Sequence, residues 1–160
     1  VEAQRIADDL IKALSKELPS FSIFESKFIE LKFSKSKNDD NEKCKFVVQT
    51  LAKFIGKLDV TPNGSSVEHI MNENANNAVT LSVGNLILLE MTINSKIPSD
   101  VEFSRKKEYY NESKYSCIID FLNLYKNASV WTEDDINNRS KQLAHTFYYE
   151  IIGEILHIKT

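Results

Sequence analysis

Cysteine, histidine, long apolar runs and positive charge are all scarce in this chain, and each scarcity narrows what it can do. Of its 160 residues only Cys44 and Cys117 are cysteines, they form no CxxC pair, and only three histidines accompany them. A structural zinc site is therefore not expected, and such sparse cysteine use fits a reducing, cytoplasmic setting. No apolar stretch reaches the roughly 18 residues of a membrane span, and no secretory leader pattern is read, so no membrane partner is expected. The net charge of −3 lacks the strongly basic balance of a self-sufficient nucleic-acid binder. It leaves room for a nuclease whose carboxylates are offset by a metal while another domain holds the substrate.

What is present is ordinary globular material. Hydrophobic residues make up 42% and charged residues 27% of the chain, enough for one domain with its own core. The chain opens on Val1 and enters a helical pattern at once, so the expectation is a domain cut from a longer protein. Ala3, Ile6, Ala7, Leu10, Ile11 and Leu14 recur at helical spacing. Leu18-Pro19-Ser20 ends that pattern, and Ser20 is placed to cap a second helix through Phe24, Phe28 and Leu31. Residues 34–43 read as an exposed loop. A third helix points Phe46, Val47, Leu51, Phe54 and Ile55 inward and stops near Gly56, and Thr61-Pro62-Asn63-Gly64 is a turn by its chemistry.

Beyond that turn the period changes. Val67–Met71 and Leu81–Leu89 read as β-type runs joined by a polar connection, with a Gly84-Asn85 pair interrupting the second. Helices return at Phe103–Tyr110 and Tyr115–Tyr125. Thr132-Glu133-Asp134-Asp135 then supplies a capping hydroxyl and three first-turn acids to a last helix, whose apolar stripe runs from Ile136 to Leu156. Arg105, Lys106 and Lys107 read as the wet face of their helix, and Trp131 as the anchor for entry to the last one. The expected fold class is α+β, a mostly helical domain enclosing a ββα unit. Its parts are a helical segment at 1–57, the ββα core at 65–112 and C-terminal helices at 113–160.

The unusual feature is Glu68-His69, a carboxylate and an imidazole side by side in an apolar run. Asn85 follows the histidine by sixteen residues and Asn94 follows Asn85 by nine, before the helix that begins near Phe103. A hairpin and helix carrying His, Asn and Asn at this spacing resemble the HNH (His-Me finger) nuclease motif. Phosphodiester hydrolysis needs a base that works near neutral pH, which histidine supplies, and a hard cation to stabilise phosphate charge. Such a cation takes oxygen ligands and keeps several waters. The roles expected are His69 as general base, Glu68 and Asn94 as ligands of a single Mg²⁺ or Mn²⁺, and Asn85 as a catalytic-site residue bracing the loop between the arms. Lys96 and Lys106 are candidates for substrate phosphates. Adjacent Glu68 and His69 would point to opposite faces of a regular strand, so sharing one site requires the strand to end or bend there.

The resemblance extends further. VEHIM, VGNLILLE, INSK, Phe103-x-x-Lys106, Tyr110-x-x-Ser113 and WTEDDI, in that order, are similar to the C-terminal nuclease domain of GmrSD-type, modification-dependent (type IV) restriction enzymes. That resemblance covers residues 67–152 closely and about 21–56 more loosely. It implies metal-dependent cleavage of DNA, often modified, in prokaryotic defence against phage, alongside an N-terminal ParB-like nucleotide-hydrolysing domain. This chain departs from the family pattern at Asn72, where proline is common, and at Asp100, where asparagine is common. Asp100 is thus either a second carboxylate for the site or a helix cap. Two rival readings stand beside the nuclease: a catalytically silent interaction domain, and a DNA-binding module that does not cleave.

Overall fold

A computed structural model describes residues 2–36, 39–56 and 62–157. Helices carry most of it: α1 (Glu2–Glu17), α2 (Phe21–Ile29) and α3 (Asn41–Gly56) precede a hairpin of β1 (Ser65–His69) and β2 (Leu86–Glu90). Then come the single turn α4 (Met91–Asn94), α5 (Phe103–Tyr110), α6 (Ser116–Leu124) and α7 (Glu133–His145). The chain continues from α7 through a π-helical turn, Thr146–Ile152, into a last α-helical turn, Gly153–Ile155. The fold is α+β, with one small antiparallel sheet among helices. Among the described residues no helix is long and apolar enough to cross a membrane.

The hairpin is the centre of the core. Its register pairs Glu68 with Ile87 and His69 with Leu86. Leu86 through Leu89 are all buried, because β2 is covered on both sides, as a continuous apolar run requires. Packed around it are Val47, Val48 and Leu51 of α3, Ile118 and Phe121 of α6, and Ile136 and Ala144 of α7. Trp131 anchors the approach to α7 against the rings of Phe103, Phe121 and Tyr125. Thr132 supplies the expected capping hydroxyl at the start of α7, and Asp135 answers it to close a reciprocal capping box.

Several sequence expectations need correction. The run Leu81–Leu89 is not one strand: Ala78–Leu81 and Val83–Asn85 are 3-10 turns, and pairing begins only at Leu86. The cause is the Gly84-Asn85 pair. Gly84 lies so close to α7 that a Cβ there would meet the Ile136 carbonyl and the Ser140 side chain and amide, while the Asn85 side chain is committed to other backbone. On α3 the inward face is Cys44, Val47, Val48, Leu51 and Ala52, and Phe46 is exposed, so the buried stripe is rotated from the one expected. Helix α2 ends at Ile29 rather than running through Leu31, and Ser20 occupies its N-cap position without a side-chain bond. The stripe Ile6, Leu10, Leu14 on α1 faces solvent. Thr61 of the expected turn lies outside the described residues.

Candidate functional site

Strand β1 ends at His69, and its last residues are drawn in rather than exposed. Glu68 and His69 retain 2% and 1% of their accessible surface. Burying a carboxylate and an imidazole requires partners, and the two residues find theirs in different parts of the fold.

Glu68 finds Lys106. The ammonium lies 2.7 Å from Glu68 Oε1, and both side chains are almost fully buried. The same Nζ donates to the His69 carbonyl oxygen at 2.5 Å. Lys106 was expected on the wet face of α5, available to substrate phosphates. It is instead 3% exposed and committed to the strand end. Burial pushes its pKa down, and the Glu68 charge opposes that push. The Tyr110 hydroxyl, one helical turn further along α5, is buried near the same carboxylate; burial first, and that charge second, hold its pKa well above the usual phenol value.

His69 finds the polypeptide between α2 and α3. Its Nε2 is 3.0 Å from the Phe33 carbonyl oxygen, and the Phe33 ring lies beside it at 5.8 Å. A carbonyl can only accept, so Nε2 carries the hydrogen and, in the neutral ring, Nδ1 carries a bare lone pair. Nδ1 is buried without a hydrogen-bond partner. Burial lowers the His69 pKa from 6.5, against raising influences from Phe33, Glu73 and Glu68, so the ring is neutral at pH 7.

Near the open nitrogen stands a residue the sequence reading did not name. Glu73 Oε2 lies 3.8 Å from His69 Nδ1. The carboxylate is fixed by the Ser34 hydroxyl and by the Lys35 amide at 3.0 Å. Partial burial works against its ionisation, but these two donors and the nearby imidazole and Lys35 outweigh it and hold its pKa below 4.5. Its local signal is faint: an acid four residues after His69, in the polar run between the strands.

Asn85 is a brace. Its Oδ1 accepts from the Met71 amide at 2.8 Å, and its Nδ2 donates to the carbonyls of Met71 and Thr80 at 2.8 and 2.7 Å. It thereby ties the chain leaving β1 to the chain entering β2. Arg139 of α7, also unnamed by the sequence, adds a second tie by donating to the carbonyls of Gly84 and Leu86. Asn94 turns its Nδ2 to Ser66 Oγ at 2.8 Å and to the Val67 carbonyl at 3.3 Å. Lys96 is exposed and pairs with Glu112. Asp100 is exposed and does not cap α5, whose N-cap position is taken by Glu102 without a side-chain bond.

The structure thus joins Glu68 to Lys106 and His69 to Phe33 and Glu73, and directs Asn94 to the β1 backbone. Glu68 and Asn94 offer hard oxygen donors of the type magnesium and manganese prefer, but the Glu68 carboxylate is closed off from water and already neutralised by an ammonium. No group of three or more His, Cys, Asp or Glu residues able to hold a metal is found among the described residues. In this arrangement the donor set does not fit a divalent cation that keeps several waters.

Neither the curated proteins nor the solved structures contain a match to the chain. A protein family does match: residues 18–146 correspond to the C-terminal domain of GmrSD restriction endonucleases. That correspondence spans most of the chain and all of the hairpin, the bracing asparagine and the buried Glu68–Lys106 pair, and the chain accordingly belongs to the GmrSD restriction endonuclease C-terminal domain family.

Proposed function

We propose that this domain hydrolyses phosphodiester bonds of DNA, with His69 as the general base, as the nuclease part of a larger cytoplasmic anti-phage restriction protein. The observation that carries the reading is the state of the His69 ring. Its Nε2–H is held by the Phe33 carbonyl, and its depressed pKa keeps it unprotonated near neutrality. Nδ1 therefore keeps a free lone pair, and in this proposal it takes the proton once substrate binding admits water to the closed strand end. The water's O–H bond breaks, its oxygen forms a bond to phosphorus, and the bond from phosphorus to the leaving oxygen breaks, that oxygen taking a proton from solvent. Asn85 holds the strand end that carries the imidazole, and Lys106 holds the same end from the other side through the His69 carbonyl.

Two partners belong to this proposal: DNA, including the modified DNA that the family resemblance implies, and an N-terminal ParB-like nucleotide-hydrolysing domain. Dependence on Mg²⁺ or Mn²⁺ is a question for the assay, because the described geometry assembles no cation site. A second reading, a catalytically silent domain kept for assembly, is favoured by one observation: Glu68 and His69 are both closed from solvent.

The test is cleavage of modified and unmodified plasmid DNA, with Mg²⁺, with Mn²⁺ and with chelator, by the full-length protein and its His69→Ala variant. Cutting that disappears with His69→Ala supports the nuclease. A folded full-length protein that cuts none of these substrates gives the silent reading precedence, and cutting that survives the substitution removes His69 from the role of base.

A further inference from the structure

We propose that the cleft beyond the end of β1 is a substrate subsite that takes one unstacked base of the DNA strand and selects a base with an exocyclic amino group. The inference rests on the nuclease reading and deepens it. The cleft has a volume of about 310 Å³, and its apolar walls are Ile70, Met71, Val101, Phe103, Val130 and Trp131. That size stands at the lower end of the range for small-molecule sites, which are mostly apolar with a few placed polar groups. Val130 is 64% exposed, so apolar surface stands open to solvent here.

The position of the cleft ties it to the reacting centre. Ile70, Met71 and Asn72 line it and are the three residues that follow His69. No more than about 11 Å of extended chain therefore separates the backbone of His69 from the far end of that wall. Successive nucleotides of one DNA strand rise about 3.4 Å, which brings the cleft within about three nucleotides of a phosphate at His69. The wall is set before any ligand arrives. Asn85 holds Met71 by both its amide and its carbonyl, and Asn72 Nδ2 donates to the Val101 carbonyl at 3.2 Å, joining the two sides of the cleft.

The polar lining decides which part of a nucleotide enters. With Nδ2 committed to Val101, Asn72 has its Oδ1 left to offer, and that atom only accepts. Glu102 lines the cleft at the head of α5, is exposed and caps none of that helix's amides. Its carboxylate is also an acceptor, and with the exposed Asp100 two residues earlier it repels a phosphate. The matching ligand is a neutral flat ring with a hydrogen-bond donor on its edge. Adenine, cytosine and guanine carry an exocyclic amino group, thymine carries none, and a carboxylate accepting from such a group is an established base contact. Taking a base out of its stack costs least where the strand is already single.

The experiment uses Trp131, the single tryptophan of the 160-residue chain, as its reporter. Its fluorescence is titrated with oligo-dC and with oligo-dT of equal length, in wild type, Glu102→Gln, Val130→Glu and Ile23→Glu. The last adds the same charge at an exposed apolar position on α2, outside the cleft. The expected result is a saturable change, with oligo-dC bound at least about fivefold more tightly than oligo-dT, the lower end of what a base-edge contact discriminates. Glu102→Gln brings the two within about twofold of each other, because an amide donates as well as accepts. Val130→Glu weakens oligo-dC by about tenfold through a like charge at the mouth, and Ile23→Glu leaves it unchanged. No fluorescence change, equal affinity for the two oligonucleotides, or equal losses from Val130→Glu and Ile23→Glu each overturn the subsite. If the expected pattern appears while the full-length protein cuts no DNA, the nuclease reading fails and the base site stands; cutting without a Trp131 response keeps the nuclease and removes the subsite.

Discussion

Replacing Lys106 by methionine removes the ammonium from a pair that the fold has almost entirely withdrawn from water. The side chains of Lys106 and Glu68 retain 4% and 2% of their exposure, and Nζ lies 2.7 Å from Oε1. At an effective dielectric constant of about 20, two unit charges at that separation attract by roughly 6 kcal/mol before the cost of desolvating them is counted. Methionine fills a similar volume, so the loss is mainly electrostatic. It strands the Glu68 carboxylate and takes a donor from the His69 carbonyl. Breaking a buried pair on one side costs about 3–5 kcal/mol, and for a domain of this size that corresponds to a fall in Tm of roughly 6–20 °C. Urea denaturation of wild type, Lys106→Met, Glu68→Gln and the double variant closes the cycle. The double variant is expected to be more stable than Lys106→Met, because no carboxylate is then left buried and unpaired. A Lys106→Met protein within about 1 kcal/mol of wild type would show that the pair is not the closed, dry contact described above.

Three further outcomes follow from the same region. Gly84→Ala sets a methyl against the Ile136 carbonyl and the backbone amide of Ser140, which cannot yield as a flexible side chain can; a loss of about 3 kcal/mol or more is expected by chemical denaturation, and near-neutrality would contradict the close approach of the 3-10 turn to α7. Asn85→Ala deletes three hydrogen bonds made by a fully buried side chain, for about 3 kcal/mol. It is also expected to increase amide exchange at Met71, which an unrelated core loss would not single out. The folded His69 pKa lies below its ordinary 6.5, so below pH 6.5 the unfolded chain binds more protons than the folded one. The stability associated with the neutral ring is present above that pH and declines as pH falls toward the folded value. Glu73, whose pKa is held below 4.5, extends the decline into the acid range. His69→Gln should flatten the upper part of this curve, and a variant curve parallel to that of wild type would contradict the assignment.

Much of this arrangement was legible where chemistry is local. The Thr132 cap, the interruption at Gly84-Asn85 and the bracing amide of Asn85 follow from residue types and short spacings, whereas the first β-run, read as Val67–Met71, in fact spans Ser65–His69. The site's long-range partners were not legible. Lys106 sits in a run, Arg105-Lys106-Lys107, whose composition reads as solvated, and only the tertiary approach of α5 to the end of β1 turns its middle member inward. Glu73 stands in the polar stretch Asn72-Glu73-Asn74, where nothing marks an acid as fixed; its placement depends on Ser34 and Lys35, thirty-nine and thirty-eight residues earlier. The rotated face of α3 has the same origin, since either of two neighbouring apolar stripes satisfies the helical period and packing against β2 selects one.

The most direct test of the account is the protonation state of one ring. In protein labelled with ¹⁵N at histidine, long-range ¹⁵N–¹H correlation near pH 7.5 distinguishes the two His69 nitrogens. The account predicts hydrogen on Nε2, held by the Phe33 carbonyl, and a bare Nδ1 facing Glu73. A hydrogen on Nδ1, or a freely exchanging mixture of the two tautomers, would contradict it, because the nitrogen assigned to take the proton from water would not be free to do so.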